Sequence, residues 1–186
     1  MAGILFHWAP SNVVRKNTLY GNRTCQIYLS GKDEARKRLE HDELFQNILF
    51  ATDAKEKTLF IALNYDDVHF GLSDHNYFYN PFYPRHVFVS RYDPNRNRWI
   101  REDLSLSQWC AQSGYDGNSK EFSWLDQSDD ITIDHARNSR IICNPSLDVV
   151  SIDLGSEKYC DVQGNKIDGS VTLQPFESII LISSDY

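Results

Sequence analysis

The side chains best suited to chemistry are scattered along the chain. Neighbouring carboxylates occur at Asp66-Asp67 and at Asp129-Asp130. Glycoside hydrolysis needs two carboxyl groups that face one bond from defined positions. Adjacent residues of an extended strand point to opposite faces, so neither doublet is such a pair by itself. The six histidines, His7, His41, His69, His75, His86 and His135, do not pair at metal-ligand spacing, and each reads as a surface or turn residue. His75, next to Asp74, is the strongest candidate among them. Cys25, Cys110, Cys143 and Cys160 lack the close spacing of a zinc knuckle or a redox motif. They read as buried free thiols, with a Cys143–Cys160 disulfide as the alternative. Zinc-protease, nucleotide-loop and nucleophile-elbow motifs are absent. No catalytic residue is identified, and no metal or cofactor is implied.

Aromatic residues are the better lead. A sugar ring can lay its C–H face on a tryptophan or tyrosine, and Trp8, Tyr77, Trp99, Tyr115 and Trp124 are candidates for that role. The competing reading for each is burial in the core. Trp109 reads as a helix-packing anchor. With 19 basic against 26 acidic residues and a net charge of −7, the chain lacks the basic surface that neutralises phosphates, which excludes nucleic acid and disfavours anionic membranes. The N-terminus has no basic region followed by an apolar run, so it is not a signal peptide, and no stretch is long and apolar enough to span a bilayer. Neutral sugars are left open by the charge.

The elements that must position these residues show a repeat. Lys16–Tyr20, Gln46–Phe50 and His75–Tyr79 each run polar residue, asparagine, short apolar strand. The asparagines at 17, 47 and 76 give a period of roughly 30 residues, in the range of solenoids. One coil of two or three short strands cannot bury its inner face alone and must stack on the next. An asparagine tolerates turn conformations, and its amide can bond the equivalent residue one coil away, forming a ladder. Ile4–Trp8, Cys25–Leu29 and Thr58–Leu63 read as further strands. The charged stretch 31–44 interrupts the pattern as a short surface helix or a long loop between coils.

Further along, Val87–Val89 is a short strand, and Arg91–Trp99 reads as strand, turn, strand. Leu106, Trp109 and Cys110 share one face of a short helix capped by Asp103 or Ser105 and ended by Gly114. From about Ser128 the texture becomes antiparallel β. Ile131 and Ile133 alternate with polar residues, Val149–Leu154 and Tyr159–Val162 are strands around a turn at Gly155–Lys158, and Ile179–Ile182 is a buried last strand. This suits a small sandwich or an open sheet.

Three stretches resemble the C-terminal region of right-handed parallel β-helix proteins of carbohydrate-active type. Ser73–Pro81 is similar to a recurrent "sDyNyfy-P" coil, Ser105–Ser119 to an "sl-eWqa-sGqDanS" segment, and Asp161–Ile182 to a terminal β-domain ending. Cys110 stands where glutamine is usual, and Gly117-Asn118 departs slightly from the usual pair. The resemblance implies an all-β chain: the last coils of a right-handed parallel β-helix over 1–100, a helix and loop connector over 101–127, and a small antiparallel sandwich-like domain over 128–186. It further implies the C-terminal part of a secreted, periplasmic or cell-surface polysaccharide lyase or glycosidase, contributing carbohydrate recognition and fold capping, with most chemistry upstream and little activity alone. Calcium, which such a parent can hold, finds no support in these residues. The polysaccharide would meet Trp8, Asp74, His75, Tyr77, Trp99, Tyr115 or Trp124. Relatives carry more coils before this point, so the chain reads as a fragment, or else as a homo-oligomer through an open β-edge. A non-catalytic carbohydrate-binding or protein-interaction solenoid is the alternative.

Overall fold

The computed structural model describes residues 1–80, 82–122 and 139–183. The chain is all-β, with one short helix among the described residues. It divides into two compact units, Met1–Glu121 and Phe122–Tyr186.

In the first unit three strands recur at each level. The first level holds β1 (Ala2–His7), β2 (Val13–Arg15) and β3 (Thr18–Tyr20); the second β4 (Cys25–Gly31), β5 (Asp42–Phe45) and β6 (Ile48–Phe50); the third β7 (Lys57–Leu63), β8 (Gly71–Asp74) and β9 (Tyr77–Tyr79). Each strand pairs in parallel with its counterpart one level on, so that Thr18 faces Ile48 and Ile48 faces Tyr77. β10 (Val87–Asp93) continues the first sheet in parallel, and β11 (Arg98–Leu104) turns back antiparallel along it. The resulting sheets run β1-β4-β7-β10-β11, β2-β5-β8 and β3-β6-β9-β12, where β12 is Lys120–Phe122.

Inward residues alternate along these strands because successive side chains point to opposite faces. Ile27, Leu29, Leu59, Ile61, Val87 and Val89 are fully buried from the first sheet. They share a core with Leu19, Leu44, Leu49 and Phe78 from the other two. Tyr20, Phe50 and Tyr79 stack in register, with ring centroids 5.1 and 4.0 Å apart.

The asparagine ladder is present. The Asn17 amide donates to Asn47 Oδ1 at 3.2 Å and the Asn47 amide to Asn76 Oδ1 at 3.0 Å, across 30 and 29 residues. Each asparagine follows a residue in the left-handed region: Lys16 (φ 55°), Gln46 (φ 57°) and His75 (φ 57°). That residue turns the chain from one sheet into the next. The ladder ends on the loop after the helix α1 (Leu106–Ser113). Asp116 accepts from the Asn76 amide at 3.1 Å, and Ser119 Oγ accepts from the Asn76 backbone N–H at 2.8 Å. Asp116 also accepts from Trp109 Nε1 at 2.9 Å, which fixes the fully buried indole. As the sequence indicates, Ser105 caps α1, in a capping box with Gln108, and Gly114 ends it in the left-handed conformation.

Of two expectations for this unit, one is narrowed and one corrected. The charged stretch takes the loop form of its two alternatives, with turns before β5 begins at Asp42, and Leu39, Asp42 and Leu44 within it are buried. Its charges pair among themselves, as Lys37 does with Glu34. His86 is fully buried, whereas a surface or turn histidine was expected, because its backbone bridges β7 and β11: its C=O accepts from Leu59 and its N–H donates to Leu104.

In the second unit β13 (Ser139–Cys143), β14 (Val150–Cys160), β15 (Lys166–Leu173) and β16 (Ser178–Ser183) form one antiparallel sheet in the order β13-β16-β14-β15. No second sheet faces it among the described residues. The turn expected at Gly155–Lys158 is an irregularity inside β14, where the register with β15 shifts between Asp153 and Lys158 and Gly155 takes φ 69°. Cys143 and Cys160 are not joined; all four cysteines are free, Cys143 exposed and Cys110 partly so. Asp129-Asp130, Ile131, Ile133 and His135 lie outside the described residues.

Candidate functional site

The outward face of the β1-β4-β7-β10-β11 sheet carries an aromatic row. Pairing registers Tyr28 with Phe60 and Phe60 with Phe88, and their ring centroids lie 4.8 and 4.6 Å apart. The next outward row, Ser30, Ala62 and Ser90, is small. Small residues beside large rings make a trough, which Trp99 and Arg101 of β11 close at its end. The groove measures about 450 Å³ and is lined by Tyr28, Phe60, Ala62, Phe88, Ser90, Trp99 and Arg101. Trp99 is half exposed and leans edge-on against Tyr92. Burial, then the neighbouring Cys25, pushes the Tyr28 phenol above its ordinary value, so it remains a neutral hydrogen-bonding group. Arg91, near the same end, is held between Asp66 and Glu102. This surface offers apolar ring area, hydroxyls and one guanidinium, which suits binding; it gathers no paired carboxylates.

Among the described sequence candidates, Trp99 alone lines this groove. Trp8 lies outside it: its ring stacks on His7 at 4.1 Å, and Lys32 and Lys37 lie over it at 5.3 and 5.4 Å, so it anchors the charged loop. Tyr115 is engaged internally, its hydroxyl accepting from the Phe70 and Gly71 backbone N–H groups at 2.9 and 3.0 Å. Trp124 is outside the described residues. Asp74, His75 and Tyr77 stand together at the corner between the second and third sheets; His75 and Tyr77 line another groove there. Asp74 accepts from both the backbone and the side-chain amide of Asn118, each at 2.8 Å. Partial burial raises this carboxyl, but those bonds together with His75 bring it below the usual carboxylate range.

Sequence reasoning missed Tyr28, Phe60, Phe88 and Arg101. A usable signal exists: aligning the three strands on their buried leucine, isoleucine and valine positions brings the rings into one column. A separate polar pair joins a buried histidine to an exposed carboxylate. The Nε2 of buried His86 lies 3.3 Å from Glu121, whose carboxyl is lowered chiefly by that contact. Among the described residues no group of three or more His, Cys, Asp or Glu could hold a metal ion, and no helix is long and apolar enough to cross a membrane.

No known protein family, curated protein or solved structure matches the chain.

Proposed function

We propose that Met1–Glu121 is a stretch of right-handed parallel β-helix from a secreted polysaccharide-active protein, and that its role is to bind polysaccharide on the aromatic face of the β1-β4-β7-β10-β11 sheet. The observation that carries this reading is the row Tyr28–Phe60–Phe88 closed by half-exposed Trp99. Parallel strands stand about 4.8 Å apart, so the row presents aromatic surface on three successive strands, β4, β7 and β10, to a linear polymer lying across them. A trough with apolar walls and few polar groups is the usual form of a binding site. The asparagine ladder and the Asp116–Ser119 loop that ends it support the β-helix assignment and the fold-capping part of the role.

Affinity electrophoresis against a panel of soluble polysaccharides, including neutral β-glucans, tests the proposal. Trp99→Ala should weaken retention on the bound polymer about tenfold, the order expected for losing one ring-stacking surface. Unchanged retention in a Trp99→Ala protein that keeps its circular dichroism spectrum would refute it.

A further inference from the structure

A second groove runs along the corner where β2, β5 and β8 turn into β3, β6 and β9. It measures about 500 Å³ and is lined by two columns. One column is Lys16, Gln46 and His75, the left-handed residues of three successive levels, with Asn118 at a fourth. The other is Ile48 and Tyr77, in register, with Lys120 beside Tyr77 because its N–H donates to the Asn76 carbonyl at 2.8 Å.

The lining is rich in donors, and no carboxylate belongs to it. Asp74, beside the groove, accepts from Asn118 through both oxygens and lies 3.8 Å from His75 Nε2, so the free positive charge of the lining rests on Lys16 and Lys120. Lys16, Gln46 and His75 are exposed, and among the described residues no hydrogen bond or ion pair engages the Lys16 ammonium or the Gln46 side-chain amide. Lys120 sits 6.0 Å over the Tyr77 ring. In a chain of net charge −7 this is a local concentration of positive charge. Its backbone sharpens the point. Glycine adopts the left-handed region without penalty, while other residues pay roughly 1–2 kcal/mol there. Three successive levels nevertheless place a polar side chain at that position, and all three line one groove.

We propose that this corner groove binds a linear acidic oligosaccharide, its carboxylates held by Lys16 and Lys120 and its rings laid against Tyr77 and Ile48. The two lysines are three levels apart, about 14 Å at the spacing of parallel strands. That separation matches carboxylates on different residues of one chain and exceeds the reach of a single small anion. The inference rests on the polysaccharide reading above, which it extends to uronates and to a second face.

The test is isothermal titration with a short galacturonate oligomer at two salt concentrations. The variants are Lys16→Gly combined with Lys120→Gln, and separately Trp99→Ala. Glycine at position 16 keeps the turn, so the fold survives, as a thermal melt will check. The parent should bind, more weakly in high salt, and the double variant should lose about tenfold in affinity with most of the salt dependence. Absence of binding by the parent, or equal binding by the folded double variant, overturns the inference. In either case Trp99-dependent retention of another polysaccharide leaves the reading of the aromatic face intact. Lysine-dependent oligomer binding with no Trp99-dependent retention on any polymer refutes that reading and supports this groove alone.

Discussion

In Met1–Glu121 an amide recurs at one corner of every level, and each bonds the next along the stack, from Asn17 through Asn47 to Asn76 and on to Asp116. Among the described residues of Phe122–Tyr186, one buried amide, Asn144, gathers two loops. Its side chain donates to the carbonyls of Asp148, Leu173 and Gln174 at 2.8, 3.2 and 3.0 Å, and its backbone N–H donates to Glu177. Parallel strands stacked level on level have no hairpin to fix their register, so a repeated side-chain bond does that work. In the antiparallel sheet only β14 and β15 are joined directly by a turn that registers them, and the Asn144 clamp ties the loop after β13 to the loop between β15 and β16. Loss of a ladder residue should therefore spread to both neighbouring levels, whereas loss of the clamp should stay local.

The largest expected effect is at the middle of the ladder. Asn47→Ala removes the bonds to Asn76 Oδ1 and to the Val14 carbonyl, and takes away the oxygen that accepts from the Asn17 backbone N–H and from its side-chain amide, which keeps only its bond to the Arg15 carbonyl. The cost should be about 3 kcal/mol, since each hydrogen bond lost is worth ~0.5–1.5 kcal/mol. Hydrogen exchange should accelerate in 13–20, 42–50 and 71–79 together. Acceleration confined to 42–50 would show that the levels hold register without the ladder. Asn144→Ala is the counterpart, with an expected loss of about 2 kcal/mol from the loss of its three bonds to carbonyls. Its exchange signature should be limited to the loops 144–149 and 173–177. Spread into β14 would make the clamp a register device as well.

The same contrast explains what the sequence reveals. Asn17, Asn47 and Asn76 are one residue type at nearly one spacing, so the repeat, the strand that follows each asparagine and the ladder could all be read from it. Ser105 with Gln108, Trp109 and Gly114 are equally local signals, and the helix they frame is there. The aromatic row is harder. Tyr28, Phe60 and Phe88 are 32 and 28 residues apart, because the loops between levels differ in length, and only strand pairing aligns them. Tyr115 shows the reverse limit: exposed and buried tyrosines look alike until the partner of the hydroxyl is known, here two backbone N–H groups. In the second unit Gly155 signals a turn in sequence, yet long-range pairing carries β14 through it as a bulge.

A third substitution probes a polar corner that the repeat hides because its members differ in type. Asn12 and Asp42 are 30 residues apart, and the Asn12 side chain donates to Asp42 Oδ1 at 2.9 Å, in the manner of the asparagine ladder. Asp42 is fully buried and its Oδ2 has no partner. Burial raises its carboxyl above the ordinary value, outweighing the bonds from Asn12 and the charge of His41. A carboxyl raised in the folded state is a burden wherever it is ionised, at neutral pH and above, and the burden lifts as the pH falls through the folded value toward that of an ordinary aspartate. Asp42→Asn keeps an acceptor for Asn12 and removes the charge. It should stabilise the protein by up to ~1 kcal/mol at pH 7, the scale of one relieved buried polar group. The advantage over the parent should shrink on acidification and be least below the ordinary aspartate range, as denaturant unfolding across that pH series will read out. A variant less stable than the parent at pH 7 would mean that this corner depends on the carboxylate, and that the ladder principle does not extend from the asparagine corner to its neighbour.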